Sequence, residues 1–254
     1  DTLKTLYDTS ETHAWTIVIA AGDATGNTAA EFNTINNATS VAIDASAVTG
    51  LASDTISNIK NLLNAGNDTN QFTANSFSSL ATVVVNDTPL NASDLVDAVD
   101  EANTATSGSG TTTVFTISAG ITINGTEDNF TALLQDENNS QVSITNQNLT
   151  VSDAVSVANA KLLAATTTGT VTATIDTTET VDTLKTLYDT SETHAWTIVI
   201  RAEDAQICTA VQLNTINAAT SEPVSLTNVT ALAGSSLTDL ATLHTNRAGF
   251  SNTS

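Results

Sequence analysis

The sequence predicts an α/β chain, a solenoid of strand–helix repeats built on a parallel sheet with leucine-rich-repeat-like geometry. Three observations carry that expectation. Residues 1–19, DTLKTLYDTSETHAWTIVI, recur unchanged at 182–200, an offset of 181 residues. Short segments rich in β-branched residues recur about 24 to 31 residues apart, a separation usual for solenoid units. Between them, apolar residues fall at helical spacing. Strand and helix in alternation force neighbouring strands to run parallel. Word-for-word repetition favours a solenoid over a doubly wound sheet.

Each element follows from its own residues. Strands are expected at 15–19, 41–44, 82–85, 114–117, 142–145, 171–175, 196–200 and 224–227, where Val, Ile, Thr and Trp alternate in part with other residues. The longer gap after 44 holds Gln71-Phe72-Thr73 and 76–80, read as a degenerate extra turn. Helical stripes are expected from Ile56/Ile59/Leu63, Leu95/Val99/Ala102, Phe130/Leu133/Leu134, Val155/Ala158/Leu162, Leu184/Leu187/Tyr188 and Leu237/Leu240/Leu243. Ser93-Asp94, Thr126-Glu127-Asp128 and Ser152-Asp153 read as helix caps, whose oxygens accept the unpaired first-turn N–H groups. Strands 41–44, 82–85, 142–145 and 196–200 are expected in one parallel sheet, with helices 93–102 and 152–163 packed on it. In Val41/Ile43/Val48, Val83/Val85/Leu90 and Val142/Ile144/Leu149 the apolar spacing resembles that of leucine-rich repeats. That family's Asn is replaced by Ser46, Thr88 and Gln147.

The repeat continues past residue 200. Phe32-Asn-Thr-Ile-Asn aligns with Leu213-Asn-Thr-Ile-Asn, and Leu51, Ile56 and Ile59 fall on Leu232, Leu237 and Leu240. The whole chain, 1–254, is therefore read as one continuous array, with a superrepeat at 1–181 and a partial second copy at 182–254. With no Met at position 1 and no leader segment visible, it reads as a piece of a longer protein.

Composition narrows the function. The net charge is −21, with Lys4, Lys60, Lys161, Lys185, Arg201 and Arg247 the fixed cations. A nucleic-acid phosphate backbone would be repelled. No apolar run approaches the roughly 20 residues of a membrane-spanning helix. The single cysteine, Cys208, excludes an internal disulfide. His13 and His194 occupy one repeat position and Cys208 falls where the first copy has Asn27, so these groups and His244 lack partners at catalytic spacing. No enzyme is expected. Trp15 and Trp196 are expected to cover the start of a strand, the alternative being to stack on a sugar. Aspartates recur at turns, at 23, 44, 54, 87, 94, 153, 176 and 204. Turn formation and capping account for them. Calcium bridging adjacent turns is the sharper alternative, with Asp44, Asp87 and Asp176 as candidate ligands because each follows or ends a strand.

The phrases at 33–49 (NTINNATSVAIDASAVT), 213–221 (LNTINAATS) and 149–154 (LTVSDA) resemble tandem-repeat regions of large cyanobacterial and marine bacterial cell-surface proteins, S-layer-like or adhesin-like. That resemblance implies an extracellular, structural role. The segment would build a surface layer, matrix or filament by association with copies of itself. The alternative is an adhesin module that binds glycan or another cell surface. The glycine-rich calcium nonapeptide common in such proteins is absent.

Overall fold

The computed structural model describes residues 13–188 and 194–251. Its strands are β1 (Gly50–Asp54), β2 (Thr82–Val85), β3 (Leu90–Asn91), β4 (Val114–Ile117), β5 (Thr122–Gly125), β6 (Val142–Ser143), β7 (Asn148–Val155), β8 (Val171–Ile175), β9 (Ala195–Thr197), β10 (Val224–Ser225) and β11 (Phe250–Ser251). Its α-helices are α1 (Ala29–Asn37), α2 (Ile56–Gly66), α3 (Ala92–Ala105), α4 (Glu127–Asn138), α5 (Val157–Thr166), α6 (Val181–Leu184), α7 (Ala210–Ala218) and α8 (Leu237–Thr245).

The chain divides into two compact parts, Asp1–Ile121 with Thr131–Ile144, and Thr122–Phe130 with Thr145–Ser254. In the first part, β1, β2, β4 and β6 form a parallel sheet in chain order. Val83, Phe115 and Val142 sit in one row across it, and each is 3 % exposed or less. Inward-pointing residues thus stack on their own kind in the neighbouring strand. α1, α2 and α3 pack in sequence, and Ile59, Leu62, Leu63, Leu95 and Val99 are fully buried. The expected stripes on α2 and α3 are those that face the core.

In the second part, β5, β7, β8 and β9 pair in parallel, again in chain order, and β10 pairs in parallel with β11. Ile123, Leu149 and Val171 align across three strands and are all fully buried. At Gly169 the backbone of the preceding strand–helix module comes so close that a Cβ would stand 2.2 Å from the Gln147 carbonyl oxygen. Only glycine fits there.

Several expectations need correcting. The strands expected in one sheet are divided: β2 and β6 lie in the first part, β9 in the second. Segment 41–44 is not a ladder strand; Ile43 and Asp44 make single bridges to Phe72 and Val18. Segment 15–19 likewise has only the bridge at Val18, beside one at His13. Ser152 and Asp153 lie inside β7, and the α5 cap is Ser156. The α3 cap is Asn91, just ahead of the expected Ser93-Asp94, and its side chain accepts from the Ser93 N–H. Thr126 does cap α4, accepting from the Asn129 N–H at 3.2 Å.

The two copies of the repeat can be compared residue by residue where both are described. Bridges His13–Thr39 and Val18–Asp44 return as His194–Thr220 and Val199–Ser225, each shifted by 181. The Thr39 hydroxyl accepts from the Trp15 N–H at 3.1 Å and donates to the Trp15 carbonyl at 2.7 Å. Thr220 and Trp196 repeat this at 2.9 and 2.8 Å. The capping box Thr28/Glu31 returns as Thr209/Gln212. Much of the unchanged 19-residue segment, 1–12 and 189–193, lies outside the described residues.

Candidate functional site

The recurring polar feature of this chain joins one module to the next. Among the described residues, six helices have a first-turn N–H that donates to a side chain 22 to 31 residues further on. Ala30 of α1 donates to Asp54 at 2.7 Å, Ile56 of α2 to Asp87 at 2.5 Å, and Glu127 of α4 to Asp153 at 2.8 Å. Val157 of α5 donates to Glu179 at 2.9 Å, Val181 of α6 to Asp204 at 2.7 Å, and Ala210 of α7 to Ser235 at 2.9 Å. Most of these helices also carry their own Thr or Ser cap. A carboxylate from the following module therefore takes an N–H that the local cap leaves over, at the positive end of the helix dipole. Five of the six acceptors are acidic, and four of them, Asp54, Asp87, Asp153 and Asp204, are among the recurring aspartates of the sequence.

Asp204 is the most enclosed, at 1 % exposed. It accepts from Val181 and forms an ion pair with Arg201 at 3.0 Å. A second interlock joins α2 to α3. Lys60 Nζ lies 2.8 Å from Asp94 and 2.9 Å from Asp97, and these carboxylates raise its pKa. The Asn67 side-chain amide donates to Glu101 at 2.7 Å.

The candidate calcium ligands occupy separate turns. Asp44 accepts from Ser46 at 3.0 Å, and hydrogen bonds from that residue's side chain and backbone hold its pKa low. Asp176 accepts from the Thr178 N–H at 2.8 Å and is lowered by the same residue's backbone and side-chain bonds. Asp87 is the cross-module cap of α2. Among the described residues no three His, Cys, Asp or Glu side chains group as a metal ion would require.

The histidines and tryptophans are placed as follows. His194 is 4 % exposed and its Nδ1 accepts from the Val171 N–H at 3.2 Å, extending the ladder between strands. Trp196 is 1 % exposed, so its ring faces are not offered to a sugar. Trp15 is half-buried and stacks on His13 with ring centroids 4.6 Å apart. Cys208 is fully buried, and desolvation raises its thiol pKa. His244 is exposed in the last turn of α8. Sequence reasoning identified the aspartates as caps but assigned Asp153 to a helix of its own module. The signal was present as an acidic residue one module downstream of five helix starts, and it is readable only once the register is known.

Among the described residues, no helix is long and apolar enough to cross a membrane. No protein-family model matches the chain, and no curated protein is significantly similar to it.

Proposed function

We propose that this chain is a segment of an α/β solenoid that builds an extracellular surface layer, matrix or filament by self-association and carries out no chemistry. The observation that supports this most is the return of one hydrogen-bond pattern after 181 residues, from the His13 and Val18 bridges to the Thr28/Glu31 capping box. Repetition of this kind builds length and surface rather than a single site. The leucine-rich-repeat-like geometry belongs to the same proposal, supported by parallel strands that pair in chain order.

Association is expected through exposed apolar residues such as Leu237 and through unpaired strand edges, which give heterologous contacts that propagate. Calcium enters this proposal as a stabiliser of a chain with charge −21. Its candidate contacts remain Asp44, Asp87 and Asp176. The test is the assembly state of the chain as a function of concentration, with Ca²⁺ and with chelator. Growth of assemblies supports the reading. A monomer at every concentration overturns it, and turnover on a glycan would replace it with an enzyme.

A further inference from the structure

Tyr188 differs from the other aromatic side chains. Among the described Phe, Trp and Tyr residues it is the most exposed, at 46 %. Phe32, Phe72, Phe77, Phe115, Phe130 and Trp196 are 2 % exposed or less, and Trp15 and Phe250 are half-buried. The exposed ring sits at a groove of about 380 Å³ between the turn that follows α6 and helices α7 and α8. Asn214, Thr215, Ala218, Thr242 and Asn246 line the groove with Tyr188. No charged residue is among them, in a chain of net charge −21.

The polar atoms of the groove wall are mostly acceptors. Thr215 Oγ1 donates to the Val211 carbonyl and Thr242 Oγ1 to the Thr238 carbonyl, each at 3.0 Å. Each hydroxyl has its hydrogen committed to its own helix and offers lone pairs. The Asn214 amide donates to the Asp239 carbonyl at 3.2 Å, which fixes its orientation, and its Oδ1 is buried without a partner. An aromatic face beside clustered acceptors suits a sugar ring, whose C–H face packs on the aromatic ring while its hydroxyls donate. An anion meets repelling lone pairs there, and an apolar ligand leaves those acceptors unpaired.

The groove does not depend on the absence of a following module. In the first repeat Asn33 donates to the Asn58 carbonyl at 3.0 Å, as Asn214 does to Asp239. Asn37 and Asn61, the counterparts of Ala218 and Thr242, are exposed although α3 packs on α2. Tyr7, the counterpart of Tyr188, lies outside the described residues.

We propose that the Tyr188 groove binds one neutral pyranose ring, stacked on Tyr188 with its hydroxyls donating to Asn214, Thr215 and Thr242. This gives the chain a ligand besides copies of itself, and it holds whether or not the chain assembles.

The test is residue-resolved NMR of the full chain titrated in turn with methyl glucoside, methyl galactoside and N-acetylglucosamine, and with glucuronate and choline as charged probes. At least one neutral sugar should shift the amides of Tyr188, Asn214 and Thr215 saturably, with a dissociation constant of roughly 1–10 mM. Tyr188→Ala should weaken that binding at least about ten-fold, and Tyr188→Phe, which keeps the ring, should change it less than about three-fold. Thr242→Val removes one acceptor while keeping the side chain's shape and should weaken binding at least about three-fold. All three positions are at the surface, so unchanged melting temperatures check that the variants fold. Amides unshifted by all three sugars overturn the proposal, and so does a Tyr188→Ala chain that binds as well as the parent. Tighter binding of glucuronate or choline than of every neutral sugar overturns the ligand class.

Discussion

Replacing Asp204 by Ala removes a carboxylate that is 1 % exposed and holds two partners. The Val181 N–H, bonded at 2.7 Å, becomes an unpaired donor at a buried helix start. A hydrogen bond to a charged group contributes about 1.5–3 kcal/mol. Loss of the charge from the dipole's positive end adds about 0.3–1 kcal/mol. The Arg201 ion pair is solvent-facing on the arginine side and adds little. These effects overlap, and the expected total is about 3 kcal/mol, a fall in melting temperature of roughly 6–12 °C. Asp204→Asn keeps an acceptor and loses the charge, so about half of that loss is expected. The assay is thermal and denaturant unfolding combined with hydrogen exchange at Val181, which speeds up in Asp204→Ala. The internal control is Asp23→Ala at the same repeat position, where Asp23 is exposed and a change within about 0.5 kcal/mol is expected. The cross-module cap is refuted as a stabilising device if Asp204→Ala is neutral, or if Asp23→Ala costs as much.

Other substitutions separate position in the repeat from burial. Ile56→Ala should cost about 2–4 kcal/mol, whereas Leu237→Ala, its counterpart at 87 % exposure, should be near neutral; denaturant midpoints check both. Gly169→Ala should destabilise the second part strongly, because the new Cβ meets the Gln147 carbonyl oxygen at 2.2 Å; loss of the unfolding transition at room temperature is a clear readout. Asp136 has one carboxylate oxygen buried without a partner, and desolvation, with the nearby Asp100 charge, raises its pKa to about 6. The native state therefore holds this proton more tightly than the unfolded chain does. Stability contributed by Asp136 is full below its ordinary carboxylate pKa and falls as pH rises through about 6. Asp136→Asn should flatten that slope in a pH series of unfolding midpoints. Exchanging chelator for Ca²⁺ at fixed ionic strength should raise the melting temperature, and an unchanged value removes calcium from the account.

What could be read from the sequence depended on how much each segment specifies alone. Segments 82–85 and 171–175 are strands as expected, because Val and Ile alternate with or adjoin Thr. The α2 and α3 stripes were legible because their apolar positions keep a 3.6-residue period over several turns. β1, with the sequence GLASD, and β5, with TING, were not legible. Gly, Ala, Asp and Asn dilute the strand signal of Leu51, Thr122 and Ile123, and pairing with β2 and β7 supplies the preference. Residues 231–235 make the converse case: they are the counterpart of β1 without its neighbour, and they form no strand. Ser152-Asp153 failed as a helix start because the side chain caps a helix in the previous module. A cap spanning 26 residues has no local signature. The candidate calcium residues were chosen as strand-end carboxylates, and the structure gives each a local turn or capping role.

The most direct test of the account is sedimentation equilibrium of the chain over several decades of concentration. The account predicts a weight-average mass that rises from 26.1 kDa without levelling off at a closed dimer, because heterologous contacts do not close. Leu237→Asp should suppress that rise while leaving the fold intact. A mass fixed at that of the monomer throughout, or growth that Leu237→Asp does not affect, contradicts it.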